Sequence, residues 1–123
     1  MLIRNPNITA SGFPGMFAGS LAIPRRGATE VIVIRQRQEP GAPLSFHYHN
    51  REEVIVQLAG TVTVLVGDER VEVAPGDTLI IPAQTVHQIE NTDQVEAEWL
   101  LIGPSGIQFF RPNGEEVVPE WAQ

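Results

Sequence analysis

Hydrophobic and polar residues alternate over short stretches along most of the chain. Eight stretches have the length of a strand and are rich in valine, isoleucine, leucine and threonine: 31–38, 44–49, 53–58, 61–66, 70–73, 78–81, 85–90 and 95–102. In TVTVLV and RVEV the alternation is regular, as expected for strands with one buried face. No window shows a sustained apolar stripe at helical spacing, and prolines interrupt most candidates. The pattern predicts an all-β chain.

Turn-forming residues separate these stretches by gaps of hairpin length, which indicates an antiparallel sandwich or barrel. Residues 1–30 are less regular, and we expect an irregular N-terminal arm that packs on the barrel or on a second subunit. We assign residues 31–102 to the barrel and residues 103–123 to a C-terminal tail with a turn at Asn113-Gly114. The whole chain, 1–123, is predicted to be one domain.

Composition agrees with this fold prediction and limits the partners and the cellular location that we expect. The chain has 123 residues, 42% of them hydrophobic, which suits one domain with a real core. No apolar run approaches the roughly 18 residues of a membrane span, so no membrane partner is expected. The N-terminus lacks a basic start followed by an apolar block, so we expect a cytoplasmic protein.

Charge and missing residue types remove several kinds of chemistry. The net charge is −7, which repels phosphate backbones, so nucleic acid is not an expected partner. All eight basic residues are arginines, and without lysine there is no Schiff-base or P-loop chemistry. With no cysteine there is neither a disulfide nor a thiolate ligand. Three histidines and fifteen carboxylates remain as the main chemical groups.

All three histidines fall in two segments, 41–60 and 76–91. His47 and His49 are two residues apart on a predicted strand and therefore share a face. A tight reversal at 50–52 would bring Glu53 onto the neighbouring strand, and His87 would join them if the jelly roll closes. Spacing and parity favour Glu53 over the adjacent Glu52 as the carboxylate.

Three imidazoles and one carboxylate suit one divalent transition-metal ion, such as Fe, Mn, Ni, Co, Cu or Zn. Four protein ligands in an octahedral sphere would leave about two positions for water, dioxygen or substrate. The imidazoles must be neutral to coordinate, so metal affinity should fall below about pH 6. We predict His47, His49, Glu53 and His87 as the metal ligands.

The two segments resemble the sequence motifs of the cupin superfamily, which consists of small jelly-roll barrels. The first motif of that family is matched position by position at Gly41, His47, His49, Glu53 and Gly60. The second is matched at Gly76, Pro82, His87 and Asn91, whereas Gln84 stands where the family usually has glycine. If that position needs a positive φ, Gln84 costs on the order of 1 kcal/mol.

The resemblance implies that the all-β chain forms a single antiparallel jelly-roll barrel. It also implies a homodimer with a small-molecule ligand or substrate. It suggests a metal-dependent enzyme, with dioxygenase chemistry first and isomerase or lyase chemistry behind it. The alternative is a non-catalytic cupin that senses or stores a metal or small ligand. A third option is a metal-free barrel similar to sugar-nucleotide epimerases, against which retention of all four ligands argues.

Several other residues allow two interpretations each. Gln57 shares the parity of Glu53, so it is either an acid–base or substrate-binding partner near the metal or an ordinary buried amide. Phe46, Trp99 and Leu101 line the pocket or belong to the plain core. Arg35 and Arg37 meet an anionic substrate or form a charged outer strand face.

Overall fold

The computed structural model describes all 123 residues and contains strands and two short 3₁₀ turns, with no α-helix. No helix therefore has the length and apolar character needed to cross a lipid bilayer. The strands are β1 Thr9–Ala10, β2 Met16–Ala22, β3 Val31–Gln38, β4 Tyr48–His49, β5 Glu53–Ala59, β6 Val62–Val66, β7 Glu69–Val73, β8 Thr78–Ile81, β9 His87–Glu90, β10 Ala97–Pro104, β11 Phe109–Phe110 and β12 Glu116–Val117. The 3₁₀ turns are Pro24–Arg26 and Glu120–Ala122. The all-β prediction is confirmed.

One antiparallel sheet of six strands has the order β1-β2-β3-β10-β5-β8. Its centre is the long pair β3 and β10, which stay in register from Ala97 opposite Gln38 to Pro104 opposite Val31. Strands that are distant in sequence thus lie side by side, so the sheet brings residues near 36, 55 and 100 onto one inner face. This face forms one wall of the functional site.

Two three-stranded sheets, β12-β11-β4 and β7-β6-β9, form the opposite wall. They are linked by isolated bridges that pair Pro43 with Glu90 and His47 with His87. The bridge at His47 is closed by two backbone hydrogen bonds, His47 N to His87 O at 3.0 Å and His87 N to His47 O at 2.8 Å. The two predicted histidine segments are therefore joined through their own backbones.

Alternation of buried and exposed residues along β3 and β10 creates the core. In β3 every second residue is buried, from Ile32 to Gln38, and in β10 the same holds from Ala97 to Gly103. Seventeen buried hydrophobic residues form one cluster. Full burial of a large aliphatic side chain contributes about 2 kcal/mol, so this continuous cluster accounts for much of the stability of the wall behind the site.

The expectation that residues 1–30 form an irregular arm is wrong for β2. This seven-residue strand pairs with β3 and buries Met16 and Ala18. Gly19 weakens the hydrophobic pattern of this strand. A Cβ atom at position 19 would lie 3.0 Å from the Ile8 side chain, so the close approach of Ile8 favours glycine there. The predicted closure into a single barrel stays a prediction, since β1, β8, β7 and β12 end the hydrogen-bonded sheets.

Motif residues outside the cluster fix turns. Gly60 has φ 66°, and a Cβ there would lie 2.7 Å from Glu96 O, so only glycine fits between β5 and β6. Buried Asn91 donates to Gln38 O at 3.0 Å and to Val95 O at 2.8 Å, which organises the turn before β10. Gln84 has φ 63°, which confirms that it occupies the left-handed conformation normally given to glycine.

Candidate metal centre

The structure brings the four predicted residues together at the start of β5 and β9 and at β4. One ligand atom from each of His47, His49, Glu53 and His87 lies within 4.8 Å of the others. The ring centroids of His47 and His87 are 4.2 Å apart, and those of His47 and His49 are 5.1 Å apart. Position 87 thus reaches the 47/49 pair, as the motif spacing predicted. Their role as metal ligands stays a prediction.

Strand geometry explains why these side chains converge. His47 and His49 point inward, whereas Tyr48 between them turns to the other side and stacks on Phe110, with centroids 5.2 Å apart. The His49 ring meets the edge of Phe109 at 4.6 Å. A short reversal at 50–52 then starts β5, so that Glu53 enters the same space and is only 1% exposed.

Backbone carbonyl groups set the orientation of all three imidazole rings. His47 Nδ1 donates to Ser45 O at 2.7 Å, and His87 Nδ1 donates to Thr85 O at 2.9 Å. His49 Nδ1 donates to Gln108 O at 3.2 Å. A carbonyl oxygen accepts only, so each neutral ring carries its proton on Nδ1 and presents the lone pair of Nε2 to the cluster. This tautomer is the one required for metal ligation through Nε2.

Buried ligand atoms of His49, Glu53 and His87 converge at the centre of the cluster. His49 Nε2 contacts Glu53 Oε2, and His87 Nε2 lies 3.9 Å from Glu53 Oε1. His49 Nε2, Glu53 Oε2 and His87 Nε2 have no hydrogen-bond partner. Buried unpaired acceptors cost several kcal/mol in total, and a cation placed among them removes that cost. The donor set therefore fits a divalent metal ion.

Burial and neighbouring charges lower the pKa values of His47, Glu53 and His87. Burial opposes ionisation of Glu53, but the three surrounding imidazoles, His49 foremost, hold its pKa at about 2. Burial, with a smaller contribution from His87, lowers the pKa of His47 to about 4. Burial also lowers the pKa of His87, against the attraction of Glu53. At neutral pH the cluster therefore contains one carboxylate charge with neutral imidazoles at 47 and 87.

A cavity of about 50 Å³ opens onto the cluster through His47 and Glu53. Its wall is mostly apolar and aromatic, and Arg111 is its single cationic residue. The lining residues are Ser11, Phe13, Met16, Gln36, Leu44, Ser45, Phe46, His47, Glu53, Ile89, Leu101, Phe109, Phe110, Arg111, Val117, Pro119 and Trp121. Any group bound at the cluster would thus share its surroundings with aromatic rings rather than with bulk water.

The N-terminal and C-terminal segments complete this cavity together. Trp121 Nε1 donates to Ser11 O at 3.1 Å, and Ser20 Oγ donates to Trp121 O at 2.6 Å. The Trp121 ring packs edge-on against Phe109, with centroids 5.7 Å apart. The tail is therefore part of the site, which its aromatic residues alone did not reveal in the sequence.

For most residues that the sequence left with two interpretations, the structure favours one of them. Glu53 is in the cluster and Glu52 is exposed. Phe46 and Leu101 line the cavity, whereas Trp99 is fully buried beside it and belongs to the core.

Arg35 and Arg37 lie on the outer face of the six-stranded sheet. Arg35 pairs with Glu98 through two hydrogen bonds of 2.8 and 3.1 Å, and Arg37 Nε lies 3.9 Å from Glu96. Neither lines the cavity. The interpretation as a charged outer strand face is the one that the structure supports.

The structure does not bring Gln57 to the cluster. Its Nε2 donates to Ala59 O at 3.0 Å and to Gly60 O at 2.9 Å, four residues along β5 from Glu53. It does not line the cavity. These contacts favour the ordinary buried amide, and the candidate acid–base role of Gln57 gains no support.

Sequence reasoning missed the groups that hold the rings in place. Asn50 donates to Gln108 Oε1 at 3.0 Å and accepts from Gln108 N at 2.8 Å, which fixes the carbonyl group that orients His49. The carbonyls of Ser45 and Thr85 each lie two residues before the histidine they contact. Since any residue type supplies a carbonyl, only the repeated spacing could have indicated this arrangement.

The fold and this constellation define a cupin. The family described as Cupin domain matches residues 34–103, and the chain belongs to that family. No curated protein matches the sequence.

Solved structures of similar fold carry different activities in their names. The polyketide cyclase RemF from Streptomyces resistomycificus is 21% identical with a TM-score of 0.77, over 87% of this chain and 82% of that chain. A sugar phosphate isomerase of the cupin superfamily from Silicibacter pomeroyi is 23% identical with a TM-score of 0.74, over 88% and 78%. Oxalate decarboxylase from Bacillus subtilis is 22% identical with a TM-score of 0.70, over 83% and 28%. These likenesses show the fold.

Proposed function

We propose that this cupin is a metal-dependent enzyme that holds one divalent transition-metal ion and acts on a small organic substrate. The observation that carries the proposal is the set of buried imidazole Nε2 and carboxylate atoms that lack a hydrogen-bond partner and converge beside a cavity. His47, His49, Glu53 and His87 would hold the ion. When bound, a divalent ion with open positions supplies Lewis-acid chemistry, and iron, manganese or copper adds redox chemistry.

The chain itself would supply orientation, charge and exclusion of water. The three carbonyl groups keep Nε2 of each imidazole free, and Glu53 provides the negative charge that partly neutralises a divalent cation. The aromatic wall removes water from the reacting group, which strengthens every electrostatic interaction there. Such a site favours substrates with an apolar body.

The reaction class is proposed with dioxygenase chemistry first and isomerase or lyase chemistry next. Polyketide cyclase, isomerase and decarboxylase names among similar folds support enzymatic use of the scaffold but not one reaction. The cavity has one cation, Arg111, and a mainly apolar wall. That lining suits aromatic and diketone substrates better than sugar phosphates.

An assay of metal-loaded protein tests the proposal. Catechols, flavonols, diketones and sugar phosphates are incubated with the protein while oxygen uptake and products are followed. We expect turnover of at least one apolar substrate, loss of about 100-fold or more with Glu53→Gln, and unchanged turnover with the exposed neighbour Glu52→Gln. Silence across the panel with a fully loaded site, or equal activity of both variants, would contradict enzymatic function.

A second candidate function is non-catalytic binding of a metal or small ligand. It is favoured by the lack of an ionisable side chain in the cavity wall apart from the cluster residues and Arg111. A ligand that raises the melting temperature without being converted would support this function. Any product would exclude it.

Architecture and assembly are part of the proposal. We propose that the two walls form a jelly-roll barrel and that two cytoplasmic chains pair as a homodimer. Exposed Val31, Leu58 and Ile80 on the six-stranded sheet support a covered outer face, since they are 51%, 42% and 58% exposed in the single chain. Sedimentation equilibrium distinguishes the dimer from a monomer.

A further inference from the structure

Gln36 is a buried polar residue that the metal cluster does not explain. It lies in β3, is 3% exposed, and lines the same cavity as His47 and Glu53. Its neighbours in the wall are mostly hydrophobic. Because an amide buried without partners is costly, both of its polar ends require an account.

Trp99 fixes which way the Gln36 amide points. Trp99 Nε1 donates to Gln36 Oε1 at 2.7 Å, within the fully buried core. An indole N–H donates and never accepts, so the atom that faces Trp99 must be the amide oxygen. The NH₂ group is therefore directed away from Trp99. No protein acceptor pairs with it, and it is not among the polar atoms sealed from solvent.

Two other buried glutamines show the opposite arrangement. Gln38 and Gln57 each donate from Nε2 to two backbone carbonyls, and their Oε1 atoms have no partner. Those side chains tie the backbone together. In Gln36 the oxygen is paired and the donor is left for the cavity, which is the arrangement of a binding group.

The position of Gln36 separates it from the metal cluster. Its register partner on β10 is Trp99, whose partner on β5 is Gln57. Glu53 lies four residues further along β5, which is roughly 13 Å along a strand. A molecule in the cavity would therefore meet Gln36 with a different atom from the one that meets the cluster.

We propose that Gln36 is a substrate-binding residue whose NH₂ group donates a hydrogen bond to an oxygen acceptor on an apolar, ring-containing ligand. Phe13, Phe46, Phe109 and Trp121 supply faces for the ring. The acceptor is a carbonyl or ether oxygen remote from the group that meets the metal cluster. This inference deepens the proposed function, because it names the substrate class for the same cavity.

Binding of two probes of equal shape tests this inference. Acetophenone carries a carbonyl oxygen where α-methylstyrene carries a methylene group, so their affinity ratio isolates the acceptor. The affinities are measured by ligand-observed NMR on the full chain, as purified and after removal of metal by a chelator. Chelation removes any metal ion that could bind the ketone oxygen, so the ratio then reports contacts of the chain alone.

We expect Gln36→Met to lower the ratio of acetophenone affinity to α-methylstyrene affinity about fivefold. Gln88→Met, on the outward side of β9, should leave the ratio unchanged. Because Gln36→Met leaves the Trp99 indole unpaired, a second variant, Gln36→Met with Trp99→Phe, removes both polar groups and should show the same decrease in a folded chain.

An unchanged ratio in both Gln36 variants would overturn the inference, and so would an equal decrease in Gln88→Met. Failure of the wild-type protein to bind either probe would also overturn it. These results do not depend on the proposed function, since the ratio is read in chelated protein. If the affinity ratio decreases as expected in the Gln36 variants but the wild-type protein binds no metal, the metal-dependent enzyme is contradicted and the role of Gln36 stands.

Discussion

Backbone carbonyl groups determine the orientation of the three histidine rings in the cluster. Each Nδ1 is held by a carbonyl oxygen, so the Nε2 lone pairs are already aimed at one point before any ion arrives. A site whose ligands are oriented in advance binds a metal more tightly than one that must order them. The contacts that orient the rings should therefore contribute to metal affinity.

Asn50→Ala should weaken metal binding about tenfold. The substitution removes the two hydrogen bonds between Asn50 and Gln108, whose carbonyl orients His49. Isothermal titration with zinc gives the affinity. Asn113→Ala, which removes one side-chain hydrogen bond in an exposed turn, serves as the control. Equal affinities for the wild type and Asn50→Ala would show that the Gln108 carbonyl is not needed.

Metal binding should persist into mildly acidic solution. The pKa of His47 is lowered by burial to about 4, that of His87 is also lowered by burial, and that of Glu53 is held at about 2. A lowered pKa favours the deprotonated form in the folded chain. The lowered histidine pKa values therefore contribute to the stability of the folded chain above the unfolded histidine pKa of about 6.5. This contribution is lost as the pH falls from there towards the pKa of His47 at about 4.

Equilibrium dialysis at a series of pH values measures this behaviour. Bound metal should remain near its neutral-pH level down to about pH 6 and should fall between about pH 6 and pH 4. Loss of half the metal above about pH 6.5 would mean that the histidines titrate as exposed groups, against the burial seen here.

The strands differ in how closely the sequence pattern predicted their bounds. The predicted strands 31–38 and 78–81 match β3 and β8 residue for residue. Both contain β-branched residues and end close to proline or turn-forming residues. The predicted strand 44–49 has only Tyr48–His49 in regular pairing, with bridges at Pro43 and His47. β2 was missed because glycine and serine weaken its pattern.

Gln84→Gly should stabilise the folded chain by about 1 kcal/mol. Gln84 has φ 63°, where a side chain is strained and glycine is not, while its N–H bond to His49 O at 2.7 Å is kept. Urea denaturation of the metal-free protein measures the free energy of unfolding. Gln94→Gly, at a position without a positive φ, should not stabilise the chain. A destabilised Gln84→Gly would show that the side chain contributes more than the strained turn costs.

The cluster of three histidines and Glu53 could be predicted from sequence because the spacings within two short motifs, 41–60 and 76–91, indicate it. The cavity could not, because its wall joins Ser11, Gln36, Arg111 and Trp121, which are distant in the chain and follow no motif. Gln36 in particular shares its pattern with Gln38, and the two differ in their hydrogen bonds in the folded chain. Tertiary contacts, not local periodicity, determine which residues line the cavity.

The molecule as a whole consists of β-sheets around a buried cluster of three histidines and Glu53, and segments near both termini line the adjoining cavity. The central claim is that this cluster holds a cation. Elemental analysis of protein purified without added metal or chelator tests it most directly. We predict close to one transition-metal ion per chain, reduced to about a tenth or less in a variant with both His47→Ala and His87→Ala. Wild-type protein with no more bound metal than that double variant would contradict the account.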